Sequence, residues 1–143
     1  MNEKYFGLTL LSFIVIFSLG TMVVEILEGT KITTSEYVGL TDDSGLIIFF
    51  AFYWFIAYFL FCLVGFLVNR YLHSFIIKIV LFVALSLSMA HWFFNHLYGY
   101  GDYITEYNLN IGTFYIIFFL CGLVYSFLEH VIYLIQTRNR LQL

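Results

Sequence analysis

The residues able to do chemistry are few in this chain, and they collect near the ends of long apolar runs. The densest group is HWFFNHLYGYGDY, residues 91 to 103, where His91, Asn95, His96 and Asp102 stand among six aromatic rings. Two histidines on one helix chelate a metal when they are three or four residues apart, since that spacing returns to the same face. His91 and His96 are five apart, about 140° around a helix, so no bidentate pair forms and no metal site is expected. A bis-histidine haem needs two histidines at one depth on facing helices. His91 and His96 lie toward one boundary, His73 and His130 toward the other, and His73 falls in a loop, so no cofactor is expected either.

Glu25 and Glu129 are the most informative residues. Each is a carboxylate at the edge of an apolar run, where a bare charge costs a few kcal/mol and favours a paired, protonated or water-facing state. For Glu25 the nearest candidate is His91 or the water boundary; for Glu129 it is His130, Arg70, His73 or Lys78. Lys78 lies one turn inside its run, from which its long stem can snorkel to the headgroups. Cys62 and Cys121 lie inside separate runs with no CxxC spacing, and read as small apolar residues without a disulfide. There is no HExxH, no G-x-S-x-G and no reactive cysteine pair, so the chain is not expected to be an enzyme.

The elements that hold these residues follow from composition. Of 143 residues, 62% are hydrophobic and 10% charged, with a mean hydropathy of +0.94. Such values belong to integral membrane proteins. A bilayer core of about 30 Å takes about 20 apolar residues as a helix. Four runs reach that length, at 5–27, 45–68, 75–97 and 111–135. None alternates as a barrel strand must. The first run is longer than the apolar part of a signal peptide and no A-x-A follows it, so it reads as a membrane helix. The expected fold is an all-α integral membrane protein: a single domain over 1–143, with four transmembrane helices in an up-down-up-down bundle. With no proline in the chain, no span is expected to be kinked.

Loop charge gives the orientation. Lys4, Arg70, Lys78, Arg138 and Arg140 fall on the side of the termini and Lys31 alone falls opposite, which places both termini in the cytoplasm. The outer side then carries Glu25, Glu28, Glu36, Asp42, Asp43, Asp102 and Glu106 against Lys31, a net of −6. The inner side holds the five cations against Glu3 and Glu129, a net of +3. Nothing in the chain reads a nucleic acid, because arginines at a membrane boundary are topology anchors.

Helices in a bilayer associate through small residues and through polar groups that need partners. Ser18, Thr21, Glu25 and Glu28 form one stripe on span one, and Ala84, Ser88, His91 and Asn95 one on span three. These are expected to face each other as an outer polar cluster of Glu25, Glu28, Ser88, His91 and Asn95. Tyr58, Cys62, Gly65 and Asn69 line span two, and Gly122, Ser126, Glu129 and His130 line span four. They are expected to form an inner cluster of Asn69, Ser126, Glu129 and His130, with Gly65, Gly122 and Ser126 as packing contacts. Gly122 or Ser126 changed to leucine is expected to break assembly.

In size and plan the chain resembles small four-span bacterial proteins, including immunity proteins against pore-forming bacteriocins and membrane components of phage-defence systems. The likeness is one of shape, with no motif behind it. The expected function is that of a non-enzymatic protein of the inner membrane. Such a protein acts by association with a second copy, or with a membrane or secreted partner, in the bilayer and at its acidic outer face. A small cation or proton channel or transporter subunit working as an oligomer is the alternative, and a membrane redox or enzyme subunit the next.

Overall fold

A computed structural model of the protein describes residues 3–32, 44–72, 74–99 and 102–141. Helix α1 runs Glu3–Leu27, α2 Ser44–Leu67, α3 Phe75–Tyr98 and α5 Ile111–Leu141, with a short α4 at Tyr103–Glu106. Among the described residues there is no strand. Four helices are long and apolar enough to cross a membrane, and this is a multi-pass membrane protein. The backbone reason is general: without water to bond N–H and C=O groups, a spanning segment must satisfy them within itself.

The ends of the helices carry local signals. A 3₁₀ turn at Gly29–Lys31 closes α1. Ser74, in an extended conformation, turns its hydroxyl toward the N–H of Ile77 and starts α3. Asn108 takes a left-handed conformation, φ 50°, before α5, a role the short polar side chain of asparagine tolerates better than most. Two outcomes differ from expectation. Helix α5 continues past 135 to Leu141, because nothing in QTRNR breaks a helix. Helix α2 ends in a π turn, Val68–Leu72, so an irregular turn occurs without proline.

Helix α5 is the centre of the packing and lies closely against both α1 and α3, while α2 joins them through the buried rings of Trp54, Tyr58 and Phe61. Two glycines permit the close approaches. A Cβ on Gly20 of α1 would sit 2.6 Å from Cys121 Sγ of α5. A Cβ on Gly122 of α5 would run into Ser86 Oγ and come within 3.2 Å of the Val83 Cα on α3.

The interior is filled mainly by rings, beside the buried Gly65, Gly122 and Ser126 of the inner stripes. Phe13 lies 4.5 Å from Phe17, 5.1 Å from Phe61 and 5.4 Å from Tyr125, centroid to centroid. Phe82 closes this cluster against Phe61 and Tyr125. Trp54, Phe93, Phe118 and Phe114 carry the column on to Tyr98. Edge-to-face and offset pairs of this kind contribute about 0.5–1.5 kcal/mol each beyond their area. They matter here because lipid tails are as apolar as the core, leaving shape and ring electrostatics to hold the helices together.

Span three shows the consequence. Its buried face is Lys78, Phe82, Ser86, Met89, Ala90, Phe93, Phe94 and Tyr98. Ala84, Ser88, His91 and Asn95, expected to point inward, are exposed. Ser88 satisfies its hydroxyl on the Ala84 carbonyl of its own helix.

Candidate functional site

The polar residues meet at the two ends of the ring column. At one end the start of α1, the end of α2, the start of α3 and the last third of α5 converge on Glu129. Lys78 Nζ lies 2.6 Å from Glu129 Oε2, and the two side chains are only 1% and 5% exposed. Tyr5 donates its hydroxyl to Oε1 at 2.5 Å, and Asn69 Nδ2 donates to the same oxygen at 3.3 Å. The Lys78 ammonium also lies 5.2 Å from the centroid of the Tyr133 ring, a cation–π contact. One carboxylate therefore joins four helices.

This corrects the reading of Lys78. Its stem does not snorkel to the headgroups; the side chain turns inward to the carboxylate. Desolvating each ion costs several kcal/mol, and the pair is tolerated because the contact is short and both carboxylate oxygens accept hydrogen bonds. Asn69 and Glu129 are brought together as the stripes proposed. Ser126 is buried nearby, but its hydroxyl is used on the Gly122 carbonyl, 2.6 Å away. His130 stacks on Phe75, centroids 4.3 Å apart, and its buried Nδ1 has no hydrogen-bond partner among the described residues. His73 lies outside the described residues.

Beside Glu129 opens a cavity of about 420 Å³. Its floor is Thr9, Phe61, Gly65, Tyr125 and Glu129, all buried, and its mouth is Phe66, Arg70 and Thr137, all exposed. Gly65 belongs to the floor because a side chain there would press on Phe82 at 3.2 Å and reach toward Glu129 Oε1. A second hydroxyl group closes one wall: Thr9 and Tyr58 share a hydrogen bond of 2.7 Å, and Tyr58 also reaches the Phe6 carbonyl.

At the opposite end the expected outer cluster divides. Glu28 is 3% exposed. It accepts from Lys31 Nζ at 2.7 Å, from the Thr113 hydroxyl at 2.6 Å and from the Asn110 backbone N–H at 3.0 Å. A carboxylate at the start of α5 meets the positive end of the helix dipole, so Glu28, in the turn after α1, supplements the cap that Asn110 Oδ1 makes on the Gly112 N–H. Glu28→Ala is expected to lower stability by about 1–3 kcal/mol, because Asn110 N–H and Thr113 lose their acceptor together. Thermal unfolding in detergent measures it, and an unchanged midpoint would remove the cap from the account.

Glu25 and His91 are not partners. Glu25 accepts from Tyr98 at 3.3 Å. His91 turns to α5, with Nδ1 2.9 Å from Tyr115 and Nε2 3.1 Å from Asn95. The reason is the packing: α1 lies against α5, and the polar stripe of α3 faces away from it. His96 stacks on Trp92, which stacks in turn on Tyr53, with centroids 4.7 and 4.2 Å apart. Among the described residues no group of three histidine, cysteine or carboxylate side chains is placed to hold a metal ion. Glu36, Asp42 and Asp43 of the acidic loop lie outside the described residues.

Lys78 was among the candidate partners of Glu129 and is the one that pairs with it; that its side chain lies in the interior, and that Tyr5 donates to Glu129, were missed by sequence reasoning. The available signal was depth, since each lies one turn inside its helix at the end where Glu129 also falls. No family model, no curated protein and no solved structure matches this chain.

Proposed function

We propose that this chain is a non-enzymatic protein of the inner membrane that acts by associating in the bilayer, with a second copy or with a membrane or secreted partner, as toxin-immunity and phage-defence components do. The proposal includes an up-down-up-down bundle with both termini in the cytoplasm. Contacts among Tyr5, Asn69, Lys78 and Glu129 at one end, and between Glu28 and Asn110 at the other, support the alternation. The basic residues Arg70 and Arg138, at the Glu129 end, support the orientation.

The observation that carries association is the outer face of α2. Phe55, Phe59, Leu63 and Phe66 fall on one side of that helix and are 47% to 66% exposed. Large rigid rings on an exposed helix face offer a partner helix shape to pack against, which lipid tails do not. Gly122, by contrast, faces α3 of the same chain and Ser126 is fully buried, so the contact expected there is internal.

Light scattering of purified protein in mild detergent tests the reading, together with crosslinking in the native membrane. Wild type is expected to run as an oligomer or a stable complex, and Phe59→Ala with Phe66→Ala to shift it to a single chain at unchanged thermal stability. A wild-type single chain that crosslinks to nothing would overturn it. Conduction along one bundle is opposed by the ring column between Glu129 and Glu25, so an ion path would have to run between copies.

A further inference from the structure

We infer that the cavity beside Glu129 is a binding site for an anionic phospholipid, with the phosphate on Arg70 and part of an acyl chain along Phe61, Phe66 and Tyr125. The site goes beyond the association reading; the two share Phe66, so the lipid test is read on Arg70 and Cys62 alone.

The inner wall is electrically neutral, since Glu129 is matched by Lys78 at 2.6 Å and already holds Tyr5 and Asn69. A cationic ligand therefore finds no free carboxylate there. The mouth is different. Arg70 lines it, lies over the Phe66 and Tyr71 rings at 5.8 and 5.6 Å, and pairs with no carboxylate among the described residues. Its guanidinium is thus held by rings yet keeps its N–H donors for an anion, which it recognises bidentately when the anion is a phosphate.

The π turn makes this arrangement. Asn69 and Arg70 are neighbours in sequence, yet both line the cavity, Asn69 toward Glu129 and Arg70 at the rim. The widened turn separates consecutive side chains by a smaller angle than an α-helix does. Between rim and floor stand Tyr5, Cys62, Asn69, Tyr133 and Gln136, so the apolar surface of the cavity is Phe61, Phe66, Tyr125 and the tyrosine rings. The mouth is formed by exposed residues of α2 and α5, two turns or fewer from the ends of the apolar spans, where a phospholipid carries its headgroup. Charge, depth and wall chemistry together fit an amphiphile with one phosphate, and basic pockets between membrane helices bind anionic headgroups in this way.

The test uses delipidated full-length protein in a neutral detergent. Dioleoyl phosphatidylglycerol, dioleoyl phosphatidylcholine and inorganic phosphate are titrated separately, read by thermal shift and by adducts counted per chain in native mass spectrometry. Phosphatidylglycerol is expected to bind as one adduct per chain, about fivefold more tightly than phosphatidylcholine. Arg70→Gln should erase that difference while the ligand-free midpoint stays at the wild-type value, since the side chain is exposed. Cys62→Phe, which fills the cavity from a half-buried wall position, should weaken both lipids. Equal binding of the two lipids, an unaltered preference in Arg70→Gln, or a shift with inorganic phosphate matching that of the lipid would each overturn the site. Because adducts are counted per chain, the result is independent of whether the protein is an oligomer.

Discussion

Lys78→Met is expected to destabilise the folded bundle by about 3–5 kcal/mol, the usual cost of leaving one charge of a buried pair without the other. Glu129 would keep Tyr5 and Asn69, which soften the loss but supply no positive charge. Glu129→Gln should cost a comparable amount, because Lys78 is 1% exposed and has no second carboxylate within reach among the described residues. The double variant, Lys78→Met with Glu129→Gln, should recover most of the stability, since a neutral amide can still bond Tyr5 and Asn69. Unfolding in mixed micelles across this cycle gives the coupling energy. Additive losses would mean that the two groups act separately and that the short contact contributes nothing of its own.

The second large effect lies between α3 and α5. Gly122→Leu places a side chain where Ser86 and the Val83 backbone already are, and the backbone cannot rotate out of the way. Overpacking costs of about 1–3 kcal/mol are ordinary and larger ones occur where backbone must move. A loss of about 3 kcal/mol or more is expected here, visible as failure to recover folded protein from the membrane. Gly7→Leu is the control, because a side chain at Gly7 meets nothing within 4 Å. If both variants purify with wild-type midpoints, the close approach of α3 and α5 is wrong.

How much of this was legible in the sequence depends on which coordinate a residue reports. Position along the membrane normal was readable: run lengths located four helices, and the boundary at Phe75 coincides with the observed start of α3. Direction around the helix was readable only where one polar group has one good target. Asn69 and Glu129 are such a case. The choice of neighbouring helix was not readable, because stripes on spans one and three match equally well whether or not the spans touch. That is why Glu25 was assigned His91, which instead pairs with Tyr115 of α5. The rings misled in the same manner. Phenylalanine is common on lipid-facing surfaces and in cores, and its type alone does not separate Phe13, fully buried, from Phe59, 66% exposed.

Synthesis order gives the Lys78–Glu129 contact a meaning in time. The two residues are 51 positions apart, so at about 5–20 residues per second the lysine precedes its carboxylate by several seconds. During that interval α3 has its cation and no counter-ion, and must hold it at the headgroups. Only when the last helix inserts can the lysine be drawn inward. A chain that stops short of α5 therefore leaves a conspicuous charge on an unfinished membrane helix.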